Sequence, residues 1–253
     1  RPFDDFEVNA VGTLNLLEAS RRYCPDSPFI FMSTNKVYGD APNELPLVEL
    51  ETRYDYTDPK DYEGIDETCR VDASLHSLFG ASKLAADIMV QEYGRYFNMP
   101  TVCFRAGCLT GSRHSGAELH GFLAYLARTF YEGRTYYIYG YKGKQVRDNL
   151  HSYDVCTAFF EFYKNPKSAA IYNLGGGRAN SISVLEAISR FEELFGKRLK
   201  VEYIEKNRKG DHICYISNIT KFKTDYPNWR ILYSINDIFV ELANHYLKRK
   251  TNQ

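Results

Sequence analysis

The chain lacks a charge surplus. Its 253 residues carry 32 Lys and Arg against 32 Asp and Glu, a formal net charge of zero. No basic stripe suggests a nucleic acid partner, and no polybasic cluster suggests a membrane surface. Long hydrophobic runs are absent too: nothing is apolar for long enough to span a bilayer, and the opening residues do not read as a signal peptide. The six cysteines, at 24, 69, 103, 108, 156 and 214, form no C-x-x-C pair and no zinc spacing. They read as reduced thiols of a cytoplasmic protein with no metal site. There are no repeats and no low-complexity tracts. What is present is enough length for one large domain or two small ones. Aromatic residues make up 15% of the chain, with 21 tyrosines, which suits a core plus polar-tipped pocket walls.

Periodicity predicts alternating elements. A helix over residues 5–22 is followed by a strand over 29–33, a polar stretch over 40–75 that reads as loops or an insertion, and a helix over 80–97. A strand over 101–105, a loop with Gly111 and Gly116, and a helix over 118–131 come next. Strands over 135–139 and 170–174 flank a helix over 153–164, and a helix over 182–195, a strand over 199–204 and a helix over 234–249 close the chain. This alternation predicts an α/β fold with a mainly parallel sheet. Gly175-Gly176-Gly177 has neither G-x-G-x-x-G spacing nor the Lys-Ser/Thr of a phosphate loop. It is expected to be a turn that lets the backbone pass close to its neighbours.

The most informative stretch is Ser33-Thr34-Asn35-Lys36-Val37-Tyr38-Gly39-Asp40. It follows the apolar run Phe29-Ile30-Phe31-Met32, so its hydroxyls fall at the carboxyl edge of a sheet, where open α/β sheets bind ligands. The same residues also fit a plain strand running into a polar turn. The pattern resembles the S-[ST]-x-x-V-Y-G signature of extended short-chain dehydrogenase/reductases, the NAD-dependent epimerase/dehydratase family. Phe6 to Ala19 is similar to the family helix N-x-x-G-T-x-N-L-L-E-A, Ser82-Lys83 to the end of its Y-x-x-x-K motif, Gly140 to Asp154 to its G-x-x-x-R-D-x-x-H-x-x-D block, and Arg208-Lys209-Gly210-Asp211 to its R-x-G-D. Within the family the resemblance is strongest to CDP-paratose (CDP-tyvelose) 2-epimerase-like proteins.

The resemblance implies a Rossmann-like doubly wound parallel sheet with a smaller C-terminal α/β domain. Residues 1–110 would belong to the NAD-binding domain and 111–253 mainly to the nucleotide-sugar domain, with 140–175 partly returning to the first. It implies NAD as cofactor, touched by Asn9, Ser33 and Lys83, and a nucleotide-sugar substrate, a CDP-sugar favoured, touched by Thr34, Asn35, Arg147, Arg208 and Asp211. Thr34 and Lys83 are the catalytic candidates. The implied reaction is removal of a hydride from a sugar ring carbon and its return to the other face. Sugar 4,6-dehydratases carry Thr-Asp-Glu where this chain has Thr34-Asn35-Lys36. An amide and an ammonium cannot replace that carboxylate pair, so epimerisation is favoured over elimination. A homodimer through the helices over 5–22 and 80–97, lying on one face, is also implied.

Two departures stand out. The motif's Tyr position holds Phe79, so the usual phenolate base is missing. His76 and Cys108 are the nearest substitutes, each better read as structural. Retention of Thr34, Lys83, Arg147 and Arg208 favours a replaced base over a decayed site. Nothing in the chain supplies the opening strand and G-x-G-x-x-G turn. An N-terminally truncated copy is therefore expected, a fragment or one half of a split protein that needs a missing segment or complementary chain to bind NAD tightly. The alternatives are a non-catalytic nucleotide-sugar-binding or assembly subunit and a related nucleotide-sugar reductase.

Overall fold

The computed structural model describes residues 1–114, 116–117, 121–207 and 210–250, the last two by main chain only. Helix α1 (Pro2–Phe6) passes through one π-wound turn (Glu7–Val11) into α2 (Gly12–Tyr23). Strand β1 (Phe29–Thr34) leads through a 3₁₀ turn into an antiparallel hairpin, β2 (Leu47–Glu49) and β3 (Tyr54–Tyr56). Helix α3 (Leu78–Phe97) starts on the side chain of Ser77, which accepts from Gly80 N. It stops where Asn98 turns left-handed, a conformation Asn tolerates better than most residues. Strands β4 (Thr101–Ala106) and β5 (Cys108–Thr110), helix α4 (Phe122–Glu132), strands β6 (Tyr136–Tyr139) and β7 (Val146–His151), helix α5 (Ser152–Lys164) and strand β8 (Ala170–Leu174) follow. The chain ends through β9 (Ser181–Ser183), α6 (Val184–Phe195), β10 (Val201–Ile204), β11 (Cys214–Tyr215), α7 (Thr220–Asp225) and α8 (Ile235–Lys250).

The main sheet is parallel, in the order β1-β4-β8, with Phe29 opposite Thr101 and Val102 opposite Ala170. Every residue of β4 is buried, as expected of a central parallel strand. Its side chains alternate between the faces. Cys103 joins Phe31, Leu17, Ala86 and Val90 under α2 and α3, while Val102 and Phe104 pack against Val155, Phe162 and Phe222 of α5 and α7. The helices over 5–22 and 80–97 therefore share one face, as the sequence implied. Strand β1 lies at the edge of this sheet among the described residues. A separate core joins α4, α6, α8 and β6 around Phe130, Phe191 and Phe239. Between the two cores, β7 pairs in parallel with β5 and β11 and antiparallel with β9. No helix among the described residues is long and apolar enough to cross a membrane.

Some expectations need correction. The 40–75 stretch is not only loop. It contains the β2–β3 hairpin, and Ile65 bridges Ser217 in parallel. The helix over 118–131 begins at Phe122 among the described residues, 118–120 lying outside them, and the short strands β5, β7, β9 and β11 were not anticipated. The Gly175–Gly177 turn is as expected: a Cβ on Gly176 would stand 2.1 Å from the Asn149 carbonyl oxygen.

Beneath the sheet edge, Arg105 and Asp87 form a buried ion pair, with side chains 4% and 0% exposed. Removing one member of such a pair leaves an uncompensated buried charge, which costs about 3–5 kcal/mol. Arg105→Met is expected to lower unfolding free energy by about that amount in urea denaturation. A loss below about 1 kcal/mol would show that the pair does not hold the fold.

Candidate active site

Thr34 ends β1 and caps the following turn: its Oγ1 accepts from Lys36 N at 3.2 Å and donates to Asn35 Oδ1 at 3.4 Å. The turn closes at Gly39, φ +58, where a Cβ would stand 2.6 Å from Ser74 Oγ, so only glycine fits. Strand alternation sends Ser33 the other way. Its hydroxyl is buried and donates to Asp87 Oδ2 at 2.5 Å, bracing the site from beneath. Asn35 is also buried.

Lys83 lies in the second turn of α3. Its Nζ donates to the Met32 carbonyl at 2.6 Å and sits 4.1 Å from the centre of the Phe31 ring. Burial lowers its pKa, with Asp87 and Cys103 acting in the opposite direction. Asn9, in the π-wound turn, donates through Nδ2 to Ser82 Oγ at 3.0 Å, so the first helix and the Ser82-Lys83 pair meet. Phe79, one turn before Lys83, is 40% exposed. A π-turn in an otherwise regular helix frequently marks a functional site.

Neither substitute base is available. His76 has Nδ1 3.0 Å from the Ser74 carbonyl and Nε2 2.8 Å from that of Val37, so both ring nitrogens face main-chain carbonyls and the ring is turned into its own loop. Cys108, on β5, has its thiol pushed up to about 11 by burial, which keeps it protonated near neutral pH. The expectation of a replaced base loses both of its named candidates.

The second half of the site is built on β7. Arg147 donates through Nη2 to Asp211 Oδ1 at 2.6 Å and through Nη1 to the Val146 carbonyl at 2.6 Å. Lys36, two residues beyond Thr34, reaches the same place: its Nζ donates to the Gly210 carbonyl at 2.8 Å and lies 3.8 Å from Asp211 Oδ1. Thr34, Arg147 and Asp211 are thus brought to one region, and Lys36 joins them. Sequence reasoning took Lys36 only as the loss of a carboxylate, although a cation beside Thr34 was itself a signal. Arg208 lies outside the described residues. Tyr141 and Lys142, just upstream of β7, hold φ of 50° and 55°. Left-handed backbone at a bulky residue is strained, and such strain concentrates at ligand sites. Asp148, the neighbour of Arg147, is buried and accepts from Gly177 N at 3.0 Å and Ser217 N at 3.1 Å, a structural role that ties the middle of β7 to the segments beside it.

Most of the chain has counterparts among known proteins. Residues 1–175 match the NAD dependent epimerase/dehydratase family. The chain is 34% identical over 243 residues to the CDP-paratose 2-epimerase of Salmonella typhi, covering 93% of this chain and 70% of that protein. It is 27% identical over 249 residues to a dTDP-glucose 4,6-dehydratase of Escherichia coli, covering 88% of this chain and 62% of that protein. The crystal structure of a Thermus thermophilus UDP-glucose 4-epimerase in complex with NAD superimposes with a TM-score of 0.77 at 25% identity, covering 96% of this chain and 70% of that one.

A thiol whose pKa stands near 11 reacts as thiolate only as pH rises toward that value. Peptide-resolved mass spectrometry after iodoacetamide treatment is expected to find Cys108 labelled far more slowly at pH 7–8 than the exposed Cys24 and Cys156, and to accelerate up to pH 10. Rapid labelling of Cys108 at pH 7 would restore it as a base.

Proposed function

Because the chain belongs to the NAD-dependent epimerase/dehydratase family, we propose that it serves as a nucleotide-sugar epimerase acting on a CDP-sugar. The observation that carries this reading is the meeting of Lys36, from the turn opened by Thr34, with Arg147 of β7 at Asp211. It sets an anion-binding guanidinium beside the carboxyl edge of the parallel sheet, where a sugar diphosphate needs both a hydroxyl partner and a phosphate partner. Similarity to a CDP-paratose 2-epimerase supports the CDP-sugar.

In this reading Thr34 orients the reacting sugar hydroxyl. Arg147 holds the diphosphate through a planar fork of N–H donors. Asn9, Thr34 and Lys83 offer an amide, a hydroxyl and an ammonium at the carboxyl edge, a donor set that fits the ribose and carboxamide end of NAD; Ser33 supports it from below. When bound, NAD supplies the reversible oxidation of a sugar carbon. The ammonium of Lys83 favours deprotonation of a hydroxyl held near it. Asn35 and Lys36 provide no carboxylate for elimination, which favours epimerisation over dehydration.

The domain division at about residue 110 is supported by the separate core around Phe130, Phe191 and Phe239. A homodimer is supported by exposed apolar side chains on α1–α3, among them Phe3, Phe6, Leu16, Ile88 and Tyr96. Six free thiols suit a reducing cytoplasm.

Incubation with NAD and CDP- or UDP-sugars is expected to give the epimerised sugar with no net NADH. Binding without turnover would favour a non-catalytic subunit, and net NADH formation or consumption a reductase. Arg147→Ala is expected to weaken nucleotide-sugar binding roughly ten- to a hundredfold in calorimetric titration. Phe79→Tyr places a phenol one helical turn from Lys83. With His76 and Cys108 held away from the chemistry, this variant is expected to raise turnover by about 10²–10⁴-fold. Unchanged or reduced turnover would show that another group already serves as the base.

A further inference from the structure

Resting on the reading that Arg147 receives the ligand's diphosphate, we infer that the Asp211 carboxylate is an internal competitor, which holds Arg147 and Lys36 until a phosphate displaces it. Among the described residues, Arg147 Nη2 at 2.6 Å, His212 N at 3.2 Å and, more distantly, Lys36 Nζ at 3.8 Å converge on the single oxygen Oδ1 of Asp211. A phosphate oxygen would draw the same donors, since both groups are acceptor-only anions that prefer charge-assisted hydrogen bonds.

The carboxylate is not what ties its own segment down. Asn43 does that from both sides: its Nδ2 donates to the Asp211 carbonyl at 3.0 Å, and its Oδ1 accepts from Ile213 N at 2.8 Å. Buried His212 adds a bond from Nε2 to the Gly39 carbonyl at 2.8 Å and stacks on Tyr215. The Gly210 carbonyl accepts from Lys36. With the main chain secured by these bonds, the carboxylate can give up Arg147 without releasing the segment. Its place beside two cations is an electrostatic role: it preorganises them and sets a threshold that only a strongly charged ligand overcomes. Sugars and nucleosides without phosphate would not displace it.

Calorimetric titration of the protein with inorganic pyrophosphate tests this. Pyrophosphate lacks a ribose, so any contact of Asp211 with a nucleoside does not enter. Asp211→Asn keeps the shape and an acceptor for His212 N while removing the charge, and Asp211→Ser removes the side chain's reach. Both are expected to bind pyrophosphate about tenfold more tightly than the parent. If Arg147→Ala weakens pyrophosphate binding and both Asp211 variants weaken it too, Asp211 positions Arg147 and does not compete for it. The inference then falls while the diphosphate site stands. If Arg147→Ala leaves pyrophosphate binding unchanged, the diphosphate reading itself fails.

Discussion

The structure hangs on the ion pair of Arg105 and Asp87 beneath the carboxyl edge of the sheet. Asp87 comes from α3 and Arg105 from β4, joined by hydrogen bonds of 2.8 and 3.2 Å. Charges removed from water at this depth hold only when every remaining donor and acceptor is met. The neighbours supply several of these partners. Ser33 and Gln91 donate to Asp87, and Arg105 reaches the Tyr38 hydroxyl, which donates to Asn173 Oδ1. Asn173 in turn donates to the Ile65 carbonyl and, through its main chain, to Glu67. One continuous network thus binds β1, the turn after it, α3, β4, β8 and the 65–67 segment. The turn that carries Thr34 and Lys36 is fixed because Tyr38, at its far end, belongs to that network.

The other side of the site depends on surface charge. Glu49 of the β2–β3 hairpin receives Lys142 and Lys144, and its pKa is pulled down to about 2, largely by the bond to Lys144. Asp55, on the same hairpin, receives Arg178 from the glycine turn, and Thr52 bonds Glu186 of α6. These contacts draw the hairpin onto the strained Tyr141–Lys142 turn that leads into β7. Exposed pairs each contribute little, so the hairpin provides geometry more than stability: it frames the turn that leads into β7, the strand that carries Arg147.

Phe79 stands one helical turn before Lys83 in α3, where the family motif carries a tyrosine, and neither of the two groups named to replace that phenol is placed to do so. His76 turns both ring nitrogens to main-chain carbonyls and Cys108 stays protonated. An intact frame around a missing base is consistent with a network such as that of Arg105 and Asp87, which is needed for folding whether or not the chemistry proceeds.

Much of this was legible in the residues themselves. Apolar periodicity located the long helices and the strands β1, β4, β8 and β10, because burial on one face or both leaves a repeat of 3.6 or 2 in the sequence. Close packing at Gly175–Gly177 was readable because only glycine admits it. Short motifs singled out Thr34, Lys83, Arg147 and Asp211, of which Arg147 and Asp211 meet in the fold. The rest was decided by contacts far apart in the chain. Val146–His151 is polar enough to look like loop and becomes a strand only because β5, β9 and β11 flank it. The three-residue strands of the hairpin carry too little pattern to show a period and are set by their pairing and by distant cations. Ser33 looked like a cofactor ligand until alternation turned it toward Asp87, 54 positions away. Lys36 counted as a lost carboxylate until the chain brought Gly210 and Asp211 to it, 174 residues later for the first of them. Composition and period report what is buried; which buried or charged group meets which is fixed only when folding brings distant segments within hydrogen-bond reach.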